Sequence, residues 1–432
     1  MRLGWLGVLV TAALIPAGTA AAGTYHVATG GDDAGPGTQA KPWKTLQHAA
    51  EKVQPGDVVR IAAGEYRGFE LETSGKAGAE IAFVGAPGAT ITSGNARNDG
   101  INLEGQEGHR LAYVRIEGLT VTGVKRHGIR AVWCSHVTVR GNKIDRNGYF
   151  GIFTGFCDDL LIEKNEVSRS PAEHGIYVSN SGDRPVIRNN HIWDNGRAGI
   201  HMNGDAEMKP GDGIISGALV EGNIIHGNGR NGASGINCDG VQASVFRNNL
   251  LYDNHASGIS IYSEDGGGPS TGNLVVNNTV VMADDGRWAL NVQNGSVKNR
   301  FVNNILIQPR EDRGAFDLCD TCVAGTVSDH NLGIGRFSLD EEHIDLAAWR
   351  KKTGQDAHFV ETTAAALFTK SPGTTPADFC PRAGSPAIDA GVAAGAPSVD
   401  LLGTRRPQGK AVDIGALEAP AATARPRKAR LR

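Results

Sequence analysis

Two short stretches of this 432-residue chain, residues 204–212 and 263–268, are rich in charged and polar side chains. Five acidic residues in and between these stretches are candidate metal ligands: Asp205, Asp212, Asp239, Glu264 and Asp265. Carboxylate oxygens are the ligands that a hard cation such as Ca²⁺ prefers. We therefore predict that these five side chains hold Ca²⁺. Lys209 lies in the first stretch and is a candidate general base.

The residues around these stretches are suited to binding a sugar, because aromatic rings stack on sugar faces while amides, imidazoles and guanidinium groups bind hydroxyls. His201 and Tyr177 join Lys209 as candidate catalytic residues that could accept a proton. The candidate substrate-binding residues are Asn180, Arg197, Asn203, Asn237 and Tyr262.

A repeated phrase must position all of these side chains. It consists of an apolar residue, two spacers, Asn, another spacer and a second apolar residue, and it occurs at Val139–Ile144, Ile162–Val167, Ile187–Ile192, Val220–Ile225, Phe246–Leu251, Val275–Val280 and Phe301–Leu306. The pair Gly-Ile keeps step with it at Gly128, Gly151, Gly175, Gly199, Gly235 and Gly258. The spacing is 23 or 24 residues where nothing is inserted, which predicts a solenoid of stacked coils. We number the coils from Gly128 and expect each Asn at a left-handed bend, with its side chain in a hydrogen-bonded column.

Alternation along each strand predicts which side chains point outward. In coil four, Ile200 and Met202 face inward, so His201 and Asn203 face outward. Equivalent outward positions form two columns: Arg130, Phe153, Tyr177, His201, Asn237, Ser260 and Asn291, and then Val132, Gly155, Ser179, Asn203, Asp239, Tyr262 and Gln293. Coil four runs for 36 residues and coil six is also long, while coil five between them is short. We therefore predict a groove with coil five as its floor and the two insertions as opposite walls.

Motifs near both ends of the chain complete the pattern. They are Pro42-Trp43-Lys44-Thr45-Leu46-Gln47, Gly56-Asp57-Val58-Val59, Gly384-Ser385-Pro386-Ala387-Ile388-Asp389-Ala390-Gly391 and Asp413-Ile414-Gly415-Ala416. With these motifs the repeat resembles right-handed parallel β-helix proteins of the pectate-lyase-like superfamily. The resemblance implies an all-β solenoid with an N-terminal capping helix at residues 43–53 and an irregular C-terminal segment.

We predict a single β-helix domain over residues 23–418. It comprises an N-terminal cap at residues 23–60, regular coils over about 98–308 and a C-terminal segment at 309–418. We predict a signal peptide over residues 1–22, because Arg2 is followed by an apolar run and then by three alanines that end at Ala22. The protein is then secreted or periplasmic, without stable membrane insertion. Residues 419–432 are rich in Ala, Pro and basic residues, which predicts a disordered basic tail.

Charge and cysteine usage narrow the partners and the compartment. Lys plus Arg is 43 and Asp plus Glu is 46, so no strong field favours nucleic acid. We expect a monomer. Cys134 and Cys157 occupy equivalent positions in neighbouring coils, within reach of a disulfide. For Cys319 and Cys322 we favour a local disulfide, or one to Cys380, over a zinc site.

The resemblance implies three functions for such a groove. Lyases of this fold abstract the C5 proton of a uronic acid, and a cation, often Ca²⁺, neutralises the sugar carboxylate. Hydrolysis would use Asp205 and Asp239, whose predicted separation of roughly 8 Å suits an inverting glycosidase. The third function is binding without catalysis. We predict a secreted lyase that cleaves an acidic, uronic-acid-containing polysaccharide, with a glycoside hydrolase or uronate epimerase, or a non-catalytic carbohydrate-binding or surface protein, as alternatives.

Overall fold

Three parallel sheets of 12 strands each form the faces of the molecule, and each coil adds one strand to each sheet. The structure is a computed structural model that describes residues 22–421. It confirms the predicted all-β, right-handed parallel β-helix. Almost all of the predicted signal peptide, and the tail beyond residue 421, lie outside the described residues.

The sheets are named by number, and their strands are given in stacking order. Sheet 1 contains Thr24–Val27, Val58–Ile61, Ile81–Gly85, Leu111–Glu117, Cys134–Arg140, Leu161–Glu163, Val186–Arg188, Leu219–Glu221, Val245–Arg247, Leu274–Val276, Arg300–Val302 and Val327–Asp329. Sheet 2 contains Phe69–Leu71, Ile101–Glu104, Ile129–Val132, Ile152–Gly155, Ile176–Ser179, Ile200–Asn203, Ile236–Asp239, Ile259–Tyr262, Leu290–Val292, Phe316–Leu318, Arg336–Leu339 and the antiparallel Glu342–Asp345. Sheet 3 contains Gly64–Arg67, Ala89–Ser93, Thr120–Thr122, Lys143–Asp145, Glu166–Ser168, His191–Trp193, Ile224–His226, Leu250–Tyr252, Thr279–Val281, Ile305–Ile307, Leu332–Gly333 and Val360–Glu361.

The remaining elements are short. Ile215–Ser216 pairs with Val241–Gln242 as a two-stranded sheet beside coil five. The α-helices are Leu46–Lys52, Leu346–Thr353 and Ala364–Leu367, and the 3₁₀-helices are Asp320–Cys322 and Pro376–Phe379. No helix among residues 22–421 is both long and apolar enough to span a membrane.

A column of buried asparagines joins the coils between sheets 1 and 3, as the repeated phrase predicts. In coil four, the Asn223 amide nitrogen donates to the Ile187 carbonyl at 2.9 Å and to Asn249 Oδ1 at 3.0 Å. Asn249 repeats this pattern with Val220 and Asn278. The expectation that these asparagines take the left-handed conformation is wrong. The preceding residue takes it instead, since Gly222 has φ 65°, and the Asn side chain is then free to turn inward.

Aromatic residues and helices close both ends of the apolar interior. At the start, the helix Leu46–Lys52 lies within the predicted range 43–53, and Leu46 and Ala49 are buried against the first coils. Thr45 caps this helix by accepting the His48 backbone N–H at 3.2 Å. At the far end, Trp349 is fully buried and stacks on Phe337 at 4.8 Å.

The C-terminal segment packs along the outer face of sheet 3, and stacked strands extend beyond residues 98–308 in both directions. Phe368 and Phe379 belong to a buried apolar cluster with Tyr252 and Ile305 of sheet 3. Asn277 Nδ2 donates to the Asp413 carbonyl at 2.9 Å, so buried amides as well as apolar side chains hold this segment.

One predicted disulfide is present and another is not. Cys319 and Cys322 form the local disulfide, and Cys380 is free. The suggested Cys134–Cys157 disulfide is wrong, since both are buried free thiols. Each thiol instead donates to a backbone carbonyl near its own position, at 3.3 Å for Cys134 and 3.2 Å for Cys157.

Candidate functional site

The floor of the candidate site is a column of outward side chains on sheet 2. Strand pairing places His201 beside Asn237, then Ser260, Asn291, Asp317 and Ser338 on successive coils. The first four residues of this series confirm the predicted column. Neighbouring strands lie about 4.8 Å apart, so the six positions form a polar strip roughly parallel to the helix axis.

A cleft of roughly 580 Å³ opens over the first part of this strip. It brings together six of the predicted site residues: Arg197, His201, Asn237, Tyr262, Glu264 and Asp265. A second cleft of roughly 540 Å³ continues it toward the C-terminal end, and the two share Ser257, Arg287 and Asn291. The second part is lined by Arg313, Asp317, Ser338, Glu341 and His343, among others.

The inserted loops of coils four and six do not form opposite walls, so this part of the groove prediction is wrong. They pack on each other, with the Ala206 N–H donating to the Asp265 carbonyl at 2.7 Å and the Gly267 N–H donating to the Gly213 carbonyl at 2.7 Å. Each loop thereby supplies a carbonyl acceptor for a backbone N–H group of the other loop. If the loops were apart, these backbone groups would have to bond to water. The loops form one joint wall, and the cleft lies beside it.

Seven predicted site residues do not line the cleft: Tyr177, Asn180, Asn203, Asp205, Lys209, Asp212 and Asp239. Lys209 is exposed on the coil-four loop, whose Gly213 N–H donates to Ser181 Oγ at 2.8 Å, on the side toward coil three. Asn180 is at the turn that follows its strand, with φ 58°. Asn203 Nδ2 donates to the Tyr177 hydroxyl at 3.2 Å, so these two side chains pair with each other.

Asp239 anchors the coil-six loop. Its buried carboxylate accepts the backbone N–H groups of Glu264, Asp265 and Gly266 at 2.8, 2.9 and 3.0 Å. Three such bonds use most of the lone pairs that a metal would need, and they hold the Glu264 and Asp265 side chains exposed at the cleft rim.

The other predicted acidic ligands are turned to their own loop. Asp205 accepts the Glu207 N–H at 3.1 Å and Asp212 accepts the Ile214 N–H at 2.9 Å. Across residues 22–421, none of the five predicted acids belongs to a group of three His, Cys, Asp or Glu side chains with ligand atoms within 4.8 Å of one another. Glu264 and Asp265 are therefore the acids that face the cleft and could contribute to holding Ca²⁺ there.

A chain of hydrogen bonds sets the proton position on His201. The Ala198 N–H donates to His174 Nδ1 at 3.0 Å, so the proton of neutral His174 is on Nε2. That nitrogen lies 3.0 Å from His201 Nδ1, which must then accept. Neutral His201 consequently carries its proton on Nε2, which has no protein partner within residues 22–421.

Burial keeps both imidazoles neutral. It lowers the pKa of His201 to about 3 and that of His174 well below the usual value, and Arg197 lowers both further. At neutral pH the His201 Nε2–H is therefore a hydrogen-bond donor, and it is buried. The arrangement does not suit the predicted base role, because Nε2 cannot accept a proton while Nδ1 is engaged by His174.

Tyr262 is the second titratable group on the floor. Its hydroxyl accepts a hydrogen bond from Asn237 Nδ2 at 2.6 Å, an interaction that favours the phenolate. Burial, followed by the neighbouring carboxylate of Asp239, raises the pKa of Tyr262 above its usual value. The phenol therefore stays protonated at neutral pH.

Arginines line the open side of the cleft. Arg197 is half-exposed and lies 3.7 Å from Glu173, and Arg287 is exposed at the junction of the two clefts. Arg287 and Arg313 were not predicted. They share a signal with Arg197, since each stands three residues before the first apolar residue of its sheet 2 strand. His174 was also missed as a site residue, because its importance depends on a contact with His201 in the next coil.

A stack of aromatic rings occupies the N-terminal side of the cleft. His127, Phe150, Phe153 and Tyr177 are linked by contacts of 5.0–5.7 Å between ring centroids. Tyr177 then stacks on His201 at 4.9 Å. Tyr177 thus supports one side of His201, while its hydroxyl is already bound by Asn203.

Known proteins match this architecture. Residues 87–210 match the family model described as right handed beta helix region. An uncharacterized protein of Bacillus subtilis (strain 168), YwoF, is 26% identical over 167 residues, which are 39% of this chain and 28% of that protein. The chain thus matches less than a third of the length of this relative.

Two solved structures have a similar fold. Pectate lyase Pel9A has a TM-score of 0.62 and 17% identity, with 93% of this chain and 98% of that chain covered. An alginate lyase from Paenibacillus sp. str. FPU-7 has a TM-score of 0.51 and 23% identity, with 63% and 94% covered. At these identities the likeness shows the fold alone.

Proposed function

We propose that this chain, which has the right-handed parallel β-helix fold of pectate-lyase-like proteins, binds an acidic polysaccharide in its sheet 2 cleft and cleaves it by β-elimination. The observation that carries the proposal is the convergence of two arginines, Arg197 and Arg287, and Tyr262 on one cleft with a polar floor. Guanidinium groups bind carboxylates in a fixed geometry, and the similar solved structures named above include a pectate lyase and an alginate lyase.

Each residue has a role in this mechanism. The guanidinium groups of Arg197 and Arg287 bind the uronate carboxylate and withdraw charge from it. The C5 proton becomes more acidic, because the carbanion that forms is stabilised by these donors. In the fraction of molecules in which Tyr262 has lost its proton, the phenolate takes the C5 proton, and the Asn237 amide stabilises that phenolate. The electron pair left on C5 then forms the C4–C5 double bond as the bond from C4 to the leaving oxygen breaks, and that oxygen takes the proton from the Tyr262 phenol.

Ca²⁺ remains part of the proposal. Glu264 and Asp265 would hold it at the cleft rim, where it would supply further positive charge to the substrate carboxylate. We also propose that the protein works outside the cytoplasm, on the basis of the signal peptide predicted at residues 1–22.

Ultraviolet absorbance distinguishes the possible activities. Purified protein is incubated with a panel of uronic polymers, including pectate and alginate, with Ca²⁺ and with a chelator. We expect unsaturated products on one polymer, and less of them with chelator. New reducing ends without ultraviolet absorbance would instead show a hydrolase. Binding to a polymer without either product would show a non-catalytic carbohydrate-binding protein.

One observation favours hydrolysis as the second candidate. Asp317 and Glu341 both line the second cleft. Burial raises the pKa of the Asp317 carboxyl above its usual value, which is the property of a general acid that protonates a leaving group. If reducing ends form without absorbance, Asp317→Asn should abolish them.

The pH dependence follows from Tyr262. Its raised pKa means that the phenolate fraction grows with pH throughout the neutral and mildly alkaline range, by about tenfold per unit below the pKa. We expect kcat/KM for ultraviolet product to rise from pH 7 to pH 9, with no acidic decline caused by His201 above about pH 4, because His201 stays neutral there. A rate that falls over pH 7–9 would contradict a Tyr262 base.

A further inference from the structure

Three potential metal ligands gather on a different face of the molecule from the cleft. Asp329 ends the last strand of sheet 1, His330 follows it, and His358 precedes the last strand of sheet 3, Val360–Glu361. Their ligand atoms all lie within 4.8 Å of one another. Neither the cleft nor its proposed activity uses these residues.

Both imidazoles converge on one oxygen. Asp329 Oδ2 lies 2.8 Å from His358 Nδ1 and 3.3 Å from His330 Nδ1. The two rings are close and tilted, with centroids 4.5 Å apart and an angle of 37° between planes. Three ligands around a tetrahedral ion are about 3.3 Å apart when each bond is about 2.0–2.1 Å long, so small side-chain shifts would admit an ion.

The backbone already orients this group. Asp329 Oδ1 accepts the His358 N–H at 2.8 Å, and this bond turns Oδ2 toward the rings. His330 is held in the left-handed conformation at φ 55°. The His358 side chain is 66% exposed, which leaves it free to adjust and leaves a fourth coordination position open to water.

We propose that Asp329 Oδ2, His330 Nδ1 and His358 Nδ1 bind a divalent first-row transition metal, with Zn²⁺ as the best match. One carboxylate and two imidazoles are typical zinc ligands, whereas Ca²⁺ prefers oxygen alone. Each imidazole moves its proton to Nε2 when Nδ1 binds the ion. The metal links the last strand of sheet 1 to the segment just before the last strand of sheet 3. It would therefore stabilise the C-terminal end of the solenoid.

The test is calorimetric titration of the full chain, purified without a histidine tag, with zinc chloride. We expect saturable binding, a rise in the melting temperature with Zn²⁺, and its reversal by chelator. His358→Ala should weaken the binding by about tenfold or more, as should His330→Asn. Asparagine is chosen at position 330 because it tolerates the left-handed backbone.

His109→Ala is the matched control, since His109 is exposed and belongs to no group of three metal ligands among the described residues. It should bind Zn²⁺ like the unaltered chain. Absence of saturable binding in the unaltered chain would overturn the proposal. So would binding that is unchanged in both His358→Ala and His330→Asn, because the ion would then lie elsewhere. The zinc titration does not depend on the proposed lyase activity, so its result stands whether or not that activity is found.

Discussion

Asn249→Ala is expected to destabilise the solenoid by about 3 kcal/mol or more. The Asn249 amide donates to the Val220 carbonyl and to Asn278 Oδ1, both at 2.9 Å, and its Oδ1 accepts the backbone and side-chain N–H groups of Asn223 at 3.0 Å. Alanine leaves the Asn223 backbone N–H and one of its two side-chain N–H groups unpaired in a buried position, while the other side-chain N–H keeps its bond to the Ile187 carbonyl. Each buried unsatisfied group costs about 1–3 kcal/mol. Circular dichroism during urea and thermal unfolding measures the loss.

The same substitution at an exposed asparagine gives the control for Asn249→Ala. Asn231 is exposed, and its amide makes a single bond of 3.2 Å to the Pro171 carbonyl. Asn231→Ala should shift the unfolding midpoint little. Equal shifts for the two variants would mean that the buried asparagine column does not hold the coils together. In a repeat protein each coil contacts its neighbours alone, so the loss at coil five should be repeated by Asn223→Ala in coil four.

The asparagine column was predictable because the repeat requires it. Each coil uses an Asn side chain at the same position to bond the backbone groups at its bend. The phrase therefore recurs in the sequence, and it predicts both the fold and the spacing of the coils. The register of sheet 2 follows, since parallel strands stacked without a shift bring His201, Asn237 and Ser260 into line. The residue predicted to be left-handed was wrong by one position. Asn and Gly, which tolerate this conformation, also occur immediately before the column asparagine, so the sequence pattern does not separate the two positions.

The shape of the site was less predictable, because it depends on contacts between distant insertions. Nothing local in residues 204–213 indicates that Ala206 bonds to Asp265, and this contact turns two expected walls into one. The sequence predicts Asp239 as a metal ligand for a similar reason. Its carboxylate bonds three backbone N–H groups in the loop of the next coil, and nothing near Asp239 in the sequence indicates these bonds. Hydrogen-bond direction is equally hidden, since the Ala198 N–H bond to His174, which argues against a base role for His201, depends on the folded backbone.

Tyr262→Phe should reduce the rate of unsaturated product formation by about 10²–10⁴-fold, the usual contribution of a residue that transfers a proton. The ring is retained and the Arg197 and Arg287 side chains are unchanged, so we expect kcat to fall while KM changes little. Initial rates at saturating polymer, at the pH of highest activity, measure the effect. Because the variant leaves the Asn237 amide without its 2.6 Å partner, its melting temperature is measured in parallel to establish that it folds.

Tyr149→Phe provides the comparison for Tyr262→Phe, because Tyr149 is 47% exposed and does not line the cleft. It should retain full activity. Arg197→Gln offers a second contrast: it removes a guanidinium group that binds the substrate carboxylate but leaves the phenol, so KM should rise and the alkaline rise in rate should persist. In Tyr262→Phe that alkaline rise should disappear. Full activity of folded Tyr262→Phe, with the alkaline rise intact, would exclude Tyr262 as the base.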